Sequence, residues 1–290
     1  MTALETATSA TSSTSRAWIA NRRQRTLGII LVCGVGLLVV LFSPLWLGDA
    51  GLSTSLPERN LSPSWDHGFG TDWLGRDMLT RTLHGLSLSL RVGLLAASMS
   101  AVLGMILGLL SGTLGGWVDG VITWIIDLFM SLPHLVLLIL IAFAVGGGLK
   151  GVIIAVAFTH WTSLARIVRA EVLQIRSADY VQLSRKLGKS PTWIARHHML
   201  PHVIPQFLVG LILLFPHAIL HEAGLSFIGI GLSPHTPAIG IILAESMRHL
   251  STGYWWLGVF PGLALLLSVK AFDILGGNLQ ALLDPRLSQE

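Results

Sequence analysis

The sequence predicts an all-α integral membrane protein with about six transmembrane helices. Of its residues 52% are hydrophobic and only 12% charged, and the mean hydropathy is +0.70. This composition excludes an ordinary soluble domain. Several uncharged stretches are also long enough to cross about 30 Å of hydrocarbon. The net charge of +4 is modest and indicates orientation in a membrane rather than binding of nucleic acid.

Six apolar stretches are candidate spans, and each can be placed in chain order. The predicted spans are 27–47, 92–118, 120–149, 151–165, 203–232 and 254–269. The third carries Asp127 and a kink at Pro133. The fifth is interrupted by Pro216, His217, His221 and Glu222, and it therefore combines a membrane span with polar chemistry. Ionisable groups inside spans are costly and mark functional sites by default.

The chain divides into a short tail and one transmembrane domain. Residues 6–15 are almost all Ser, Thr and Ala, which cannot bury a core, so residues 1–26 are predicted to be a disordered cytoplasmic tail. Residues 27–290 are predicted to form the transmembrane domain. Arginines at 22, 23 and 25 precede an apolar run that is too long for a signal peptide, which favours an uncleaved first span.

The distribution of basic residues predicts the orientation. With the N-terminus in the cytoplasm, the segments on the inner side hold twelve Lys and Arg residues, and those on the outer side hold five. Positive residues accumulate on the cytoplasmic side of membrane proteins. Both termini and the loop 166–202 are therefore predicted to be cytoplasmic.

A row of glycines predicts close packing of the second span. Gly104, Gly108, Gly112 and Gly116 recur every four residues and fall on one helical face. Small residues at this spacing allow another helix backbone to approach closely. The alternative is accidental glycine richness, because membrane helices use glycine freely.

The polar stretch 177–201 has the pattern of a helix, a turn and a second helix. Ser177 is placed to cap the first helix, and Asp179 in its first turn suits the positive end of the helix dipole. Gly188 is the expected left-handed stop. Ser190 and Pro191 occupy the N-cap and first position of the second helix. On the first helix, three apolar side chains share one face: Tyr180, Leu183 and Leu187.

The same stretch resembles a loop of known permeases. Gln182-Leu183-Ser184, then Gly188, then His198-Met199-Leu200-Pro201 match the spacing of the pattern E-A-A-x3-G-x9-I-x-L-P of permeases in binding-protein-dependent ABC importers. His198 replaces the Ile, and the first three residues differ. The resemblance implies that 177–201 couples the permease to an ATPase. The implied coupling residues are Asp179, Tyr180, Leu183, Gly188, His198, Leu200 and Pro201.

Further motifs resemble one branch of that family. Residues 70–77 read G-T-D-W-L-G-R-D, residues 222–229 read E-A-G-L-S-F-I-G, and residues 283–286 read L-D-P-R. These are similar to the C-type subunit of dipeptide, oligopeptide and nickel importers. The resemblance implies a type I importer permease in the bacterial cytoplasmic membrane. It would pair with a homologous permease subunit, two ATPase subunits and an extracytoplasmic solute-binding protein.

The chain has no G-x-x-x-x-G-K-[ST] motif, so ATP and Mg²⁺ are expected to be used by the partner ATPases. We expect no cofactor on this chain, no enzyme activity of its own and no nucleic-acid partner. A secondary transporter or channel is the less favoured class, because it needs its own gate and often internal repeats, and the sequence shows no repeat. A membrane metalloprotease would need H-E-x-x-H, which the pair His197-His198 does not provide.

The histidines of the fifth span suggest the cargo. His217 and His221 lie four residues apart, which places both imidazoles on one helical face, and imidazole suits nickel, copper and zinc. They are predicted metal ligands, with Glu222 and Asp127 as further residues of the substrate path. The alternative is that both rings are structural and bond to backbone carbonyls. Asp127 is expected to pair with a basic or hydroxyl group, His134 is expected to be structural, and His160, near the inner end of the fourth span, is expected to be interfacial.

Comparison within the resembled family leaves two cargo classes open. Nickel-type subunits resemble H-x-x-x-H-x-A-G-x-S-F, and this chain shares the two histidines. Its Glu222 is instead typical of the peptide-type subunits. Import of nickel or another transition metal or metal chelate is the leading hypothesis, and import of dipeptides or oligopeptides is the alternative.

Overall fold

The computed structural model describes residues 2–233 and 235–283, with the backbone alone for 2–23 and 283. Ten α-helices follow one another within these residues, with no β-strand among them. They are α1 Thr2–Leu47, α2 Met78–Leu114, α3 Gly116–Ser131, α4 His134–Ala144, α5 Gly148–Arg176, α6 Asp179–Lys186, α7 Pro191–Ile194, α8 Leu200–Phe227, α9 Ile239–Met247 and α10 Trp256–Leu283. A π-helical turn, Ala195–Met199, joins α7 to α8. The all-α membrane fold predicted from the composition is confirmed.

Five stretches are long and apolar enough to cross a membrane, and a bent pair of helices makes a sixth candidate. The five stretches are Gln24–Leu47, Met78–Leu114, Gly148–Arg176, Pro191–Phe227 and Trp256–Leu282. The number agrees with the predicted six, but the boundaries do not. Helix α2 begins fourteen residues before Val92, where the second span was predicted to begin. Helix α5, which corresponds to the predicted fourth span, continues to Arg176 instead of ending at Ala165.

The predicted third span, 120–149, is broken. Helices α3 and α4 meet at an angle of 100°. Proline disfavours the helical conformation of the residue before it, and Leu132 is indeed extended, with φ −90° and ψ 144°. Helix α4 has eleven residues, or about 16 Å, and so cannot cross about 30 Å of hydrocarbon by itself.

Helix α1, Thr2–Leu47, extends toward the N-terminus beyond its apolar part. The apolar part begins at Gln24. The predicted disordered tail, 1–26, falls mostly on residues whose side chains lie outside the described part of the chain, and it stays a prediction.

Helix α2 lies at the centre and packs against α5, α8 and α1. Helices α2 and α5 run parallel, because Gly104 faces Trp161 and Leu164 while Gly112 faces Val172. A Cβ atom at Gly108 would lie 2.7 Å from both the Ala165 carbonyl oxygen and the Val168 Cβ. The predicted close approach is thus confirmed for three of the four glycines.

The prediction is wrong for Gly116, the fourth glycine of the predicted row. Helix α2 ends at Leu114, and Gly116 begins α3 with φ +55°. A Cβ atom there would meet nothing within 4 Å. The four-residue spacing continued past the end of the helix, and the change of direction at Gly115 removed Gly116 from the packed face.

One end of the bundle, which we call the loop end, consists of residues 48–77, 228–233 and 235–255. Asp72 is fully buried there and receives hydrogen bonds from the backbone of Leu74 and Arg76 at 2.8 and 3.0 Å. The Arg81 guanidinium lies 2.6 Å from the Asp72 carboxylate and 2.8 Å from the carboxylate of Glu245 on α9, and so it links Asp72 to α9. The Asp77 carboxylate caps α2 by accepting from Thr80 N at 2.7 Å. The motif at 70–77 therefore fastens the loop to two helices.

The opposite end, which we call the basic end, consists of residues 176–199 and the neighbouring ends of α2 and α3. Arg169 binds both oxygens of Asp119 through two parallel hydrogen bonds, at 2.6 and 2.7 Å. Ser111 donates to the same carboxylate. Arg176 donates to the Gly112 carbonyl at 3.2 Å. Bidentate arginine–carboxylate pairs are the strongest of their kind, so this end is firmly connected.

Candidate functional site

The segment 177–201 forms a short hairpin of helices at the basic end. Helix α6 ends before Gly188, which adopts the predicted left-handed conformation with φ +78°. The Ser190 hydroxyl then accepts a hydrogen bond from Trp193 N at 3.2 Å, and Pro191 takes the first helical position. The glycine stop and the Ser-Pro start are therefore confirmed.

The start of α6 differs from the prediction. Ala178, and not Ser177, is the N-cap residue, and it makes no side-chain cap. The Ser177 hydroxyl instead donates to the Gln174 carbonyl at 2.7 Å, which places Ser177 at the end of α5. Asp179 does lie in the first turn of α6, as predicted.

His198 lies inside the hairpin and connects its two arms. Its Nε2 is 2.9 Å from the Ser184 hydroxyl, and its ring centroid is 5.3 Å from that of Tyr180. The π-helical turn carries His198, and the chain continues directly into α8 with Leu200 and Pro201 in its first turn. A proline in the first turn lacks only an N–H that the helix does not use.

One face of α6 is anchored and the other is displayed. Val181 is fully buried and packs in a cluster with Ile194 and Met199. Tyr180, Leu183 and Leu187 are 49%, 57% and 71% exposed. Three adjoining apolar side chains on a short exposed helix are typical of a contact surface. We call Tyr180, Leu183 and Leu187 the apolar ridge.

Three cations share a cavity at the basic end. Arg176, Arg185 and Lys189 line a cavity of about 240 Å³ together with Thr113 and Pro191. Burial lowers the pKa of the Arg185 guanidinium, and the like charge of Arg176 lowers it further. Both effects oppose positive charge here, so an anionic group entering the cavity would be stabilised.

A second arrangement lies within the apolar part of the bundle. The break at Pro133 makes His134 the first residue of α4 and brings it against α5 and α8. The ring centroids of His134 and His160 are 4.6 Å apart. The ring centroid of His221 lies 4.9 Å from each of them. One ligand atom from each ring lies within 4.8 Å of the others. We call His134, His160 and His221 the histidine triad.

The structure groups one member of the predicted pair with two further histidines, and metal binding by the pair His217 and His221 stays a prediction. His221 belongs to the triad, whereas the exposed His217 has its Nδ1 3.1 Å from the Leu213 carbonyl one turn back. The sequence predicts a structural role for His134 and an interfacial position for His160, whereas the structure places both in the triad. The signal that could have found them is that both lie in apolar stretches, as His221 does.

The two predicted acidic residues of the path differ in their surroundings. Glu222 is fully buried and accepts from Ser226 Oγ at 2.8 Å, and its other oxygen has no hydrogen-bond partner in the described structure. The Ser89 hydroxyl approaches this carboxyl without completing a hydrogen bond. Asp127 is exposed on α3, and it makes no ion pair or hydrogen bond with the described residues, which corrects its expected pairing.

Comparisons with known proteins agree with this architecture. Residues 104–289 match the family model described as the inner membrane component of binding-protein-dependent transport systems. The chain belongs to this family. The match covers the triad and the whole 177–201 segment. This chain is therefore the permease component of an ABC importer, and it is a multi-pass protein of the inner membrane.

Individual relatives cover most of this permease. It is 37% identical over 233 residues to the dipeptide transport system permease protein of Bacillus subtilis, covering 80% of this chain and 73% of the relative. It is 39% identical over 269 residues to a putative peptide transport system permease protein of Brucella suis, covering 93% and 90%. A crystal structure of an amino acid ABC transporter with histidines shares the fold, with TM-score 0.53, 19% identity, and coverage of 70% and 94%.

Proposed function

We propose that this permease is one membrane subunit of an ATP-driven peptide importer and that ATPase subunits drive it through segment 177–201. The observation that carries the proposal is the apolar ridge, which is exposed on a helix whose opposite side is fixed by Val181. A rigid attachment transmits force, because well-packed elements move as units. The cations that line the cavity lie at the same end of the bundle and offer charged contacts to a partner.

The basic end would face the cytoplasm in this proposal. Arg176, Arg185 and Lys189 cluster there, and positive residues favour the inner side of the membrane. Both termini would then be cytoplasmic, and the loop end would meet the extracytoplasmic solute-binding protein. A homologous permease subunit would cover part of the exposed apolar surface of the bundle.

Peptides are the cargo that the comparisons favour. The relatives with 33–39% identity over most of the chain carry names of peptide or dipeptide permeases. The buried Glu222, which the sequence analysis associates with the peptide-type subunits, supports the same class. These observations favour the alternative of the sequence analysis over nickel.

A metal ion or metal chelate is the second candidate cargo. The observation that favours it is the histidine triad, which presents three imidazoles within the membrane. Nickel, copper and zinc accept such ligands.

The Leu183→Glu substitution tests the motor contact. A carboxylate in the middle of the apolar ridge would be desolvated on docking, which costs several kcal/mol. We expect peptide uptake to fall at least about tenfold, since each 1.4 kcal/mol is a factor of ten, while the complex still hydrolyses ATP. The measurement is ATP hydrolysis beside uptake of a radiolabelled dipeptide by the purified importer in proteoliposomes.

The matched control is Gln182→Glu, which adds the same charge to the same helix. The Gln182 amide donates to the Arg176 carbonyl at 3.0 Å, so this side chain is directed back toward α5 and away from the ridge. Its uptake should stay within about twofold of wild type, as exposed substitutions cost little. Normal uptake by Leu183→Glu would refute the assignment of the ridge to the motor.

The cargo is tested in the same proteoliposomes. Radiolabelled dipeptide and radiolabelled nickel are offered separately with the purified binding protein, and ATP-dependent accumulation is measured. We expect accumulation of the dipeptide. Accumulation of nickel with no accumulation of dipeptide would replace the peptide proposal by the second candidate.

A further inference from the structure

Three histidines from three helices converge at one place in the bundle, with His160 buried and His134 and His221 partly accessible. His160 lies twelve residues after the start of α5 and sixteen before its end, which is about 18 Å and about 24 Å from the two ends. This depth is inside the hydrocarbon region of a membrane. Polar side chains at such depth are costly, so three of them in mutual contact need a specific reason.

The hydrogen bonds of His160 fix which nitrogen is free. Its Nδ1 lies 3.1 Å from the Val156 carbonyl and 3.0 Å from the Thr159 hydroxyl. A carbonyl oxygen can only accept, so Nδ1 carries the proton and Nε2 keeps its lone pair. Metal-binding histidines have this same arrangement, because the second nitrogen donates to a carbonyl and orients the ring.

The other two rings offer unused nitrogens. Across the described part of the chain, neither His134 nor His221 makes a hydrogen bond through its ring. The ligand atoms of the three rings converge within 4.8 Å, and two of the rings have no competing hydrogen bond with the described residues, so the three are free to share one electrophile. His160 is buried, whereas His134 and His221 keep accessible surface, so an ion can reach the triad from one side.

We propose that the histidine triad binds one divalent transition-metal ion of the zinc, nickel and copper class. Neutral imidazole is a preferred ligand for these ions. Three protein ligands leave a fourth position open to water or to a donor atom of a passing molecule. This site does not depend on which cargo the importer carries.

The geometry requires only small movements. In a tetrahedral site with metal–nitrogen bonds of about 2.0–2.1 Å, ligand nitrogens are about 3.4 Å apart. The ligand atoms of the triad lie within 4.8 Å of one another. Rotations of the two accessible rings about their side-chain torsions can close this difference, and Val156 holds the third in place.

The test is metal binding by the intact importer complex, without transport. The complex is purified, stripped with a chelator and titrated with Co²⁺ and Zn²⁺. We expect one tightly bound ion per copy of this chain and a visible tetrahedral Co²⁺ absorption band. Loss of a residue that only orients a metal ligand lowers the affinity 10–100-fold, and loss of a ligand itself should cost more. His160→Gln and His221→Gln should therefore each weaken metal binding by about 100-fold or more.

A matched variant separates the triad from the pair predicted by sequence. His217→Gln removes an exposed imidazole one turn from His221 and should keep the ion and the Co²⁺ band. His221→Cys supplies a thiolate ligand, and it should retain Co²⁺ with a new sulfur-to-metal charge-transfer band. Because Cys33 is also a free thiol, the band is measured in a Cys33→Ala background, and the elution volume of each complex checks folding and assembly.

Two results would overturn the proposal. One is a wild-type complex that holds no stoichiometric ion at micromolar free metal. The other is loss of the ion in His217→Gln together with full retention in His160→Gln, which would place the ligands on α8 alone. Neither result bears on peptide uptake, so the proposed function would survive either one.

Discussion

The Gly108→Leu substitution is expected to separate helices α2 and α5 and to prevent a stable importer complex. At this position a Cβ atom would already lie 2.7 Å from the Ala165 carbonyl oxygen and from the Val168 Cβ. The obstacle at Ala165 is backbone, which cannot rotate away. Extra methylenes in a packed core cost about 1–3 kcal/mol, and leucine adds more volume than those cases. We therefore expect destabilisation of about 3 kcal/mol or more.

The measurement is the yield and the thermal midpoint of the purified complex. The matched control is Gly120→Leu on α3, where a Cβ atom would meet nothing within 4 Å. This control should keep the wild-type midpoint. An unchanged midpoint and yield in Gly108→Leu would show that the two helices do not pack through this face.

Local chemistry explains what could be predicted from the sequence. The glycine spacing on α2, the left-handed Gly188 and the capping pair Ser190-Pro191 depend on residues close together in the chain. Backbone rules for these residues hold in most surroundings. The family resemblance rested on the same local motifs, and the match over residues 104–289 confirmed it.

The histidine triad could not be predicted in this way. Its members come from α4, α5 and α8, and their meeting depends on the 100° bend between α3 and α4. The sequence indicates that Pro133 breaks a helix, but the size and direction of the bend follow from tertiary packing. A pair on one helix, His217 and His221, was visible because helical spacing alone relates its members.

The early start of α2 has a related cause. A hydropathy argument placed the first charged residues of this helix outside the span, and so it began the span at Val92. The structure instead neutralises Arg81 inside the protein through Asp72 and Glu245. Charges that are paired and hydrogen-bonded within a bundle can belong to a long helix, because their partners offset much of the cost of desolvation.

Asp72 holds this arrangement together at the loop end. Its carboxylate is fully buried and accepts four hydrogen bonds, two from backbone N–H groups and two from arginine side chains. Arg81 is only 4% exposed and depends on this carboxylate together with Glu245. A buried charge without its partner costs far more than the pair contributes.

The Asp72→Asn substitution is therefore expected to destabilise the loop end by about 3–5 kcal/mol, the typical cost of breaking a buried pair. The neutral amide keeps the size of the side chain but leaves the positive charge of Arg81 poorly compensated. Thermal unfolding and limited proteolysis of the complex measure the effect, with new cleavage expected in residues 48–77. The exposed Asp66→Asn is the control and should behave as wild type. Adding Arg81→Gln to Asp72→Asn should restore part of the loss, because neighbouring effects are not additive. Wild-type stability in Asp72→Asn would mean that the buried pair does not hold the loop to the bundle.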